Sequence, residues 1–166
     1  MRLFAIAFAL AACQSSSSST SSGSSSASNQ AVARPAGKLE LVDAPPTPAG
    51  ANVATTIANE VTRAGHDGKE LVVYVGATWC EPCQQFHAAA AAGKLDQAFP
   101  KLRLLVFDND RDGDALQAAG YRSRLIPLFA LPNADGTSSG KQIEGSVKGA
   151  DAVKQISPRL EALLGG

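Results

Sequence analysis

Three short, mainly apolar runs alternate with segments in which apolar residues recur at helical spacing. The runs cover residues 71–75, 102–107 and 128–131. Continuous runs of this kind, rich in Val and Leu, are typical of strands that are buried on both faces. Over residues 51–63, Val and Ile recur at every fourth position, as on one face of an amphipathic helix.

The flanking segments predict the remaining elements. A short strand is expected over residues 38–42, and a strand over 141–147 should pair with 128–131 through the Asp135-Gly136 turn. Further helices are predicted over 80–99, 112–119 and 151–164, with a break at Gly93 and a kink at Pro158.

This order of elements predicts one α/β domain over residues 38–166. Strands alternate with helices at first, and a hairpin and a last helix follow. Such an order is typical of a layered sandwich with a mixed sheet.

The first thirteen residues have the features of an export signal. Arg2 precedes an apolar run over residues 3–10, which suits a signal sequence and is too short to span a membrane. The motif Leu10-Ala11-Ala12-Cys13 resembles a bacterial lipobox, which implies a signal peptide over 1–12 and lipidation of Cys13. The alternative is an ordinary secretory signal with an incidental cysteine. Gln14 favours the outer membrane under the usual sorting rule for Gram-negative lipoproteins.

A serine-rich segment follows the first cysteine. Residues 13–37 contain too few large apolar side chains to form a core, so we expect a disordered tether. A flexible linker of this length spans on the order of 25–30 Å.

Charge and cysteine usage narrow the possible functions. The chain has 15 basic and 15 acidic residues, and no basic cluster indicates nucleic-acid binding. If Cys13 is lipidated, Cys80 and Cys83 remain as the only cysteine pair. One pair does not form a disulfide framework, and it favours redox or metal chemistry.

The sequence Trp79-Cys80-Glu81-Pro82-Cys83 carries the clearest chemistry, since it joins a predicted buried strand to a predicted helix. A thiol at a helix start is favoured as thiolate by the unpaired N–H groups and the macrodipole. Cys83 lies almost one turn later and is close enough to form a bond with the sulfur of Cys80. Pro82 suits the first turn because its missing N–H is not needed there, and we expect Trp79 to cover the pair.

These residues resemble the active site of the thioredoxin family, and the resemblance extends over roughly residues 38–164. It implies a three-layer α/β/α sandwich, a redox-active Cys80–Cys83 disulfide, no other cofactor, and protein thiols or disulfides as substrates. It also implies a cis bond before Pro127, backbone pairing of Ile126 with substrate, and a glycine at Glu144-Gly145 beside the active site. We expect a monomer that exchanges electrons with a redox partner the sequence does not identify.

Two features depart from thioredoxins proper. Tyr74 stands where the family has a buried Asp, so the usual proton acceptor for Cys83 is missing. The second helix lacks the family's proline and resembles envelope thioredoxin-like domains instead. The charge of Glu81 should oppose thiolate formation and favours the reducing direction; the alternative is a solvated surface carboxylate with little influence on the pair. His87, four residues after Cys83, is a candidate to take the proton of Cys83, although a lone His at such a position more often packs or faces solvent.

Other interpretations stay open. Cys80, Cys83 and His87 could bind Cu(I) or Zn²⁺, although no fourth ligand is visible. The domain could also be a non-catalytic interaction module. The run 108–114 resembles the start of a Ca²⁺ loop, but Ala119 occupies the twelfth position, so we interpret it as a polar turn with a helix cap.

Overall fold

The computed structural model of the chain describes residues 37–48 and 50–165. The predicted signal peptide, Cys13 and the linker up to residue 36 lie outside the described residues, and their assignment stays a prediction. No helix within the described ranges is long and apolar enough to cross a membrane.

A five-stranded mixed sheet lies at the centre of the described part of the chain, with strand order β1-β3-β2-β4-β5. Strands β1, β3 and β2 are parallel, whereas β4 is antiparallel to both β2 and β5. The strands are β1 (Glu40–Asp43), β2 (Glu70–Gly76), β3 (Leu102–Asp108), β4 (Leu128–Pro132) and β5 (Ser138–Glu144). The helices are α1 (Val53–His66), α2 (Glu81–Ala91), α3 (Asn109–Ala118) and α4 (Ala152–Leu164).

Two hydrophobic cores lie on opposite faces of the sheet. Val73 and Val75 of β2 belong to a core shared with α1 and α3. Val72 and Tyr74 belong to a second core shared with α2 and α4. Because successive strand residues point to opposite faces, the apolar run of β2 supplies both cores. The predicted three-layer thioredoxin-like α/β/α sandwich is confirmed.

Several predicted boundaries were wrong by a few residues. Helix α2 ends at Ala91, near the expected break, and residues 92–98 form turns with Gly93 at a φ of 72° instead of continuing the helix. Helix α3 begins three residues early because the Asp108 side chain accepts hydrogen bonds from two backbone N–H groups of its first turn. Strand β5 begins at Ser138 and ends at Glu144, and Pro158 lies within a continuous α4.

The turn between β4 and β5 packs against the start of α1. The hydroxyl of Tyr121 donates a 2.9 Å hydrogen bond to the carbonyl of Gly136. Gly136 has a φ of 81°, and a Cβ atom there would lie 1.9 Å from the carbonyl oxygen of Ala54. Only glycine fits this close approach.

An ionic cluster stabilises the sheet at the amino-terminal ends of its parallel strands. The guanidinium of Arg103 in β3 donates to carboxylates of Glu40, Glu60 and Asp67 at 2.6–3.1 Å. Burial alone would raise the pKa of Glu40, but hydrogen bonds from Arg103 and Lys69 outweigh it and lower that pKa. These partners explain a charged residue within a buried strand.

Candidate active site

The two cysteines lie at the start of α2, directly after the carboxyl end of the central strand β2. Cys80 is the N-cap residue of the helix, and Cys83 lies in its first turn. They form a disulfide with an S–S distance of 2.00 Å and a Cα–Cα distance of 5.2 Å. The backbone N–H of Cys83 also points to the Cys80 sulfur, at 3.3 Å. The predicted proximity of the two sulfurs at a helix N-terminus is confirmed.

The disulfide lies in a shallow apolar cluster, separate from the two main cores. Cys80 is 4% exposed and Cys83 is 3% exposed, and the cluster also contains Ala77 and Ile126. The flanking residues Thr78, Trp79 and Glu81 are exposed. The disulfide therefore lies just beneath the surface, and a substrate protein must fit closely around Cys80 to reach its sulfur.

Trp79 occupies a different position from the one predicted. It is 65% exposed and does not belong to the cluster around the cysteines. Its indole N–H donates a 2.7 Å hydrogen bond to the carboxylate of Asp110 in α3. The apolar side chain that packs on the pair is that of Ile126.

The loop before β4 supplies the opposite side of the site. The Ile126–Pro127 peptide bond is cis, as the resemblance implied, and Pro127 is buried. The backbone N–H of Gly145 donates to the Pro127 carbonyl at 2.8 Å, so the predicted glycine does lie beside this loop. Glu144 accepts hydrogen bonds from Ser123 and from the backbone of Arg124, which fix the start of the loop.

Tyr74 lies beneath the cysteine pair, where the family has an acid. Its hydroxyl donates a 3.0 Å hydrogen bond to the backbone carbonyl of Cys83. Burial raises the pKa of Tyr74 well above its ordinary value, so the phenol stays protonated and neutral. Gly76 permits this arrangement, since a Cβ there would lie 3.3 Å from both the Tyr74 hydroxyl and the Cys83 Cβ. The sequence indicated the missing acid but not the hydrogen bond that replaces it.

A cavity of about 760 Å³ lies next to Cys83, between α2, β3 and the segment that follows β1. Cys83, His87 and Tyr74 all line it, so His87 does share a face with the cysteine. Asp43, Asp108 and Arg111 are the charged residues of its wall, and the other lining residues are Ala44, Pro45, Pro46, Gly76, Ala77, Thr78, Gln84, Ala88, Val106 and Phe107.

Glu81 and Pro82 occupy the first two positions of α2. Pro82 is buried and has the predicted place in the first turn. Glu81 is exposed, and its carboxylate accepts a 3.0 Å hydrogen bond from the backbone N–H of Gly149, which is 68 residues away in sequence. The sequence gave no indication of this contact.

The acidic run at 108–114 forms the predicted turn and helix cap. Asp112 is 1% exposed, and its carboxylate accepts from Arg111 and from the backbone N–H of Thr47. Burial would raise the pKa of Asp112, but these hydrogen bonds outweigh it and lower the pKa. Across residues 37–48 and 50–165, no group of three or more His, Cys, Asp or Glu side chains could hold a metal ion. The set Cys80, Cys83 and His87 is not assembled as a metal site here.

The chain is similar to several solved structures of thioredoxins. No protein-family model matches the sequence, and no curated protein does. Oxidised thioredoxin O1 from Arabidopsis thaliana is 17% identical over 77% of this chain and 96% of its own, with a TM-score of 0.45. Spinach chloroplast thioredoxin f is 23% identical over 78% and 87%, and Trichomonas vaginalis thioredoxin is 21% identical over 74% and 96%, each with a TM-score of 0.47.

The strand order and the placement of the cysteines identify the fold. A mixed sheet in the order β1-β3-β2-β4-β5 lies between α1 and α3 on one face and α2 and α4 on the other. The second helix begins on the disulfide-bonded Cys80. On these grounds, the described part of the chain has a thioredoxin-like α/β fold.

Proposed function

We propose that this protein is a thiol–disulfide oxidoreductase that exchanges disulfides with protein substrates through Cys80 and Cys83. The observation that carries the proposal is the disulfide between the N-cap residue of α2 and a cysteine one turn into the same helix. A reversible bond at a helix N-terminus can be opened to give a stabilised thiolate there.

Cys80 is the attacking residue in this proposal. In the reduced protein, the Cys83 N–H and the dipole of α2 favour negative charge on the Cys80 sulfur. Exposed residues flank Cys80 on both sides, whereas Cys83 follows the buried Pro82, and its backbone carbonyl accepts a hydrogen bond from the buried Tyr74. Cys83 is therefore placed to act within the protein, on a bond already formed at Cys80.

The reaction has two exchange steps. The Cys80 thiolate attacks a substrate disulfide, which forms a mixed disulfide and releases one substrate sulfur as a thiolate that takes up a proton. Cys83 then loses its proton and attacks the Cys80 sulfur, which breaks the mixed disulfide and releases the second substrate thiol. The substrate gains two electrons and two protons, and the Cys80–Cys83 bond forms.

The surface around the pair suits an extended polypeptide. The large apolar side chains that are exposed in the described part of the chain are Trp79, Leu125 and Val147. Each lies near the site: Trp79 precedes Cys80, Leu125 precedes Ile126, and Val147 is two residues from the partner of Glu81. Exposed apolar residues grouped in this way are typical of a binding surface, and the backbone of Ile126 could pair with a bound strand.

The reducing direction and the envelope location are further parts of the proposal. Glu81 lies between the cysteines in sequence, in the first turn of α2, and its negative charge competes with a thiolate for the favourable potential of the helix N-terminus. The motif at residues 10–13 supports a lipid anchor at Cys13 that faces the periplasm, with the outer membrane favoured by Gln14.

The test is to trap the mixed disulfide in cells. A Cys83→Ala variant of the full chain should accumulate mixed disulfides through Cys80, which disappear on reduction and in the Cys80→Ser, Cys83→Ala double variant. Purified wild-type protein should reduce insulin, and Cys80→Ser should not. Equal activity of wild type and Cys80→Ser would exclude the proposal. Equilibration with glutathione gives the direction, and a potential near −120 mV would contradict a reductant.

A further inference from the structure

We propose that Glu81 is a positioning residue, whose carboxylate holds the β5–α4 loop (residues 145–151) in place as one wall of the substrate groove. This inference rests on the proposed function, and it assigns a role in substrate recognition to the residue between the two cysteines. The hydrogen bond from Gly149 to Glu81 joins this loop to the first turn of α2.

The loop is fixed at both ends by other contacts. At its start, Gly145 donates to the Pro127 carbonyl, and the guanidinium of Arg159 donates to the carbonyls of Glu144 and Gly145 at 2.7–2.8 Å. At its end, the hydroxyl of Ser146 donates to the carbonyl of Ala152. Within the intervening segment, the carbonyl of Gly149 accepts from the backbone N–H of Ala152 at 3.1 Å, and its N–H donates to Glu81, which ties the segment to α2.

The conformation of Gly149 fits this role. Its φ is 81°, in the left-handed region that favours glycine, and it presents its N–H to the carboxylate at 3.0 Å. Glu81 is the first residue of α2, so its exposed side chain can extend away from the helix without disturbing the disulfide. A carboxylate accepts a backbone N–H more strongly than a neutral group does.

The segment held in this way carries Val147, which is 45% exposed. The other wall is the loop before β4, and the two walls meet where the Leu125 side chain approaches Gly145. A Cβ on Gly145 would lie 3.0 Å from Leu125 Cδ1. The two walls present the exposed side chains of Val147 and Leu125, and we expect the groove to select substrates with an apolar residue next to the reacting cysteine.

The test compares Glu81→Ala with Glu81→Gln on two peptide disulfides, one with Leu and one with Ser next to the cysteine. The Gln side chain retains an oxygen that can accept from Gly149, but it lacks the charge. Glu81→Ala should raise KM for the Leu peptide about two- to tenfold, which is the loss of one hydrogen bond expressed as affinity. The kcat of Glu81→Ala should change less than its KM. The KM of Glu81→Gln should stay near that of the wild type. For the Ser peptide, the rise in KM caused by Glu81→Ala should be smaller than for the Leu peptide.

Two further measurements distinguish the positioning of the loop by Glu81 from an effect of its charge and from a loss of overall stability. Trypsin should cut after the exposed Lys148 faster in Glu81→Ala than in Glu81→Gln or in the control Glu161→Ala, an exposed carboxylate on α4. Val147→Ser should raise KM for the Leu peptide, with little further increase when Glu81→Ala is added. An unchanged KM in Glu81→Ala, or equal KM changes in Glu81→Ala and Glu81→Gln, would overturn the inference. Absence of activity in the wild type would instead refute the proposed function.

Discussion

Replacement of Tyr74 with Phe tests whether the group beneath the cysteines is structural or takes part in proton transfer. The change removes the 3.0 Å hydrogen bond to the Cys83 carbonyl. It keeps the aromatic contacts, since the Tyr74 ring lies 4.8 Å from Phe129 and 5.7 Å from Phe86. A buried neutral hydrogen bond contributes about 0.5–1.5 kcal/mol. We therefore expect a loss of about 1 kcal/mol.

The expected stability change is measurable by urea unfolding of the oxidised protein. With a slope of about 2 kcal/mol per M urea, the midpoint should fall by up to about 0.5 M. Tyr74→Leu is the comparison, because it also removes both ring pairs. Each aromatic pair contributes about 0.5–1.5 kcal/mol, so the total loss in this variant should reach about 2–4 kcal/mol.

The kinetic expectation follows from the raised pKa of Tyr74. A phenol that stays protonated cannot serve as the base for Cys83 at any pH where the protein works. The dependence of insulin reduction on pH, measured from pH 5 to 9, should therefore be the same in wild type and Tyr74→Phe. A shifted profile in Tyr74→Phe, or a stability loss above 3 kcal/mol, would show that the reasoning about this hydroxyl is wrong.

Two predictions concern charged groups. Arg103→Leu leaves Glu60, which is 5% exposed, with only the exposed Arg63 as a partner at 3.0 Å, so the free energy of unfolding should fall by about 2–4 kcal/mol; a loss below 1 kcal/mol in urea unfolding would contradict this. Because its pKa is lowered in the folded protein, Asp112 contributes stability above its unfolded pKa of about 3.9 and loses it as the pH falls through the lower folded value. Asp112→Asn should be less stable at pH 7, and its stability should depend less on pH over roughly pH 5 to 2 than that of wild type; parallel pH profiles would refute the argument.

The sequence was sufficient to predict elements whose signal is local. The apolar run of β2 and the position of Cys80 before Pro82 predicted a buried strand that leads into a helix carrying both thiols, and the structure has this arrangement. The Asp135-Gly136 turn likewise placed the hairpin. Strand β5 was misplaced by three residues because Ser138, Ser139 and Gly140 have no apolar alternation, and their place is set by pairing with β4.

The site contacts that could not be predicted connect residues distant in sequence. The bond from Gly149 to Glu81 spans 68 residues, and neither residue type implies the other. Trp79 was expected over the disulfide, but Asp110, 31 residues away, offers its indole N–H a carboxylate. For Tyr74, the sequence showed that an acid is absent, whereas the hydroxyl's partner depends on how closely α2 approaches Gly76.

The contact of Gly136 with α1 has a practical consequence for labelling and fusion. From its sequence, this hairpin tip would be a natural place to insert a tag, because tips of polar and small residues commonly tolerate additions. Although residues 133–135 are exposed, Gly136 is buried, and any side chain at Gly136 would collide with the Ala54 carbonyl. An insertion there would push the first helix off the sheet and open the core beneath it, so fluorophores and affinity tags belong elsewhere on the molecule.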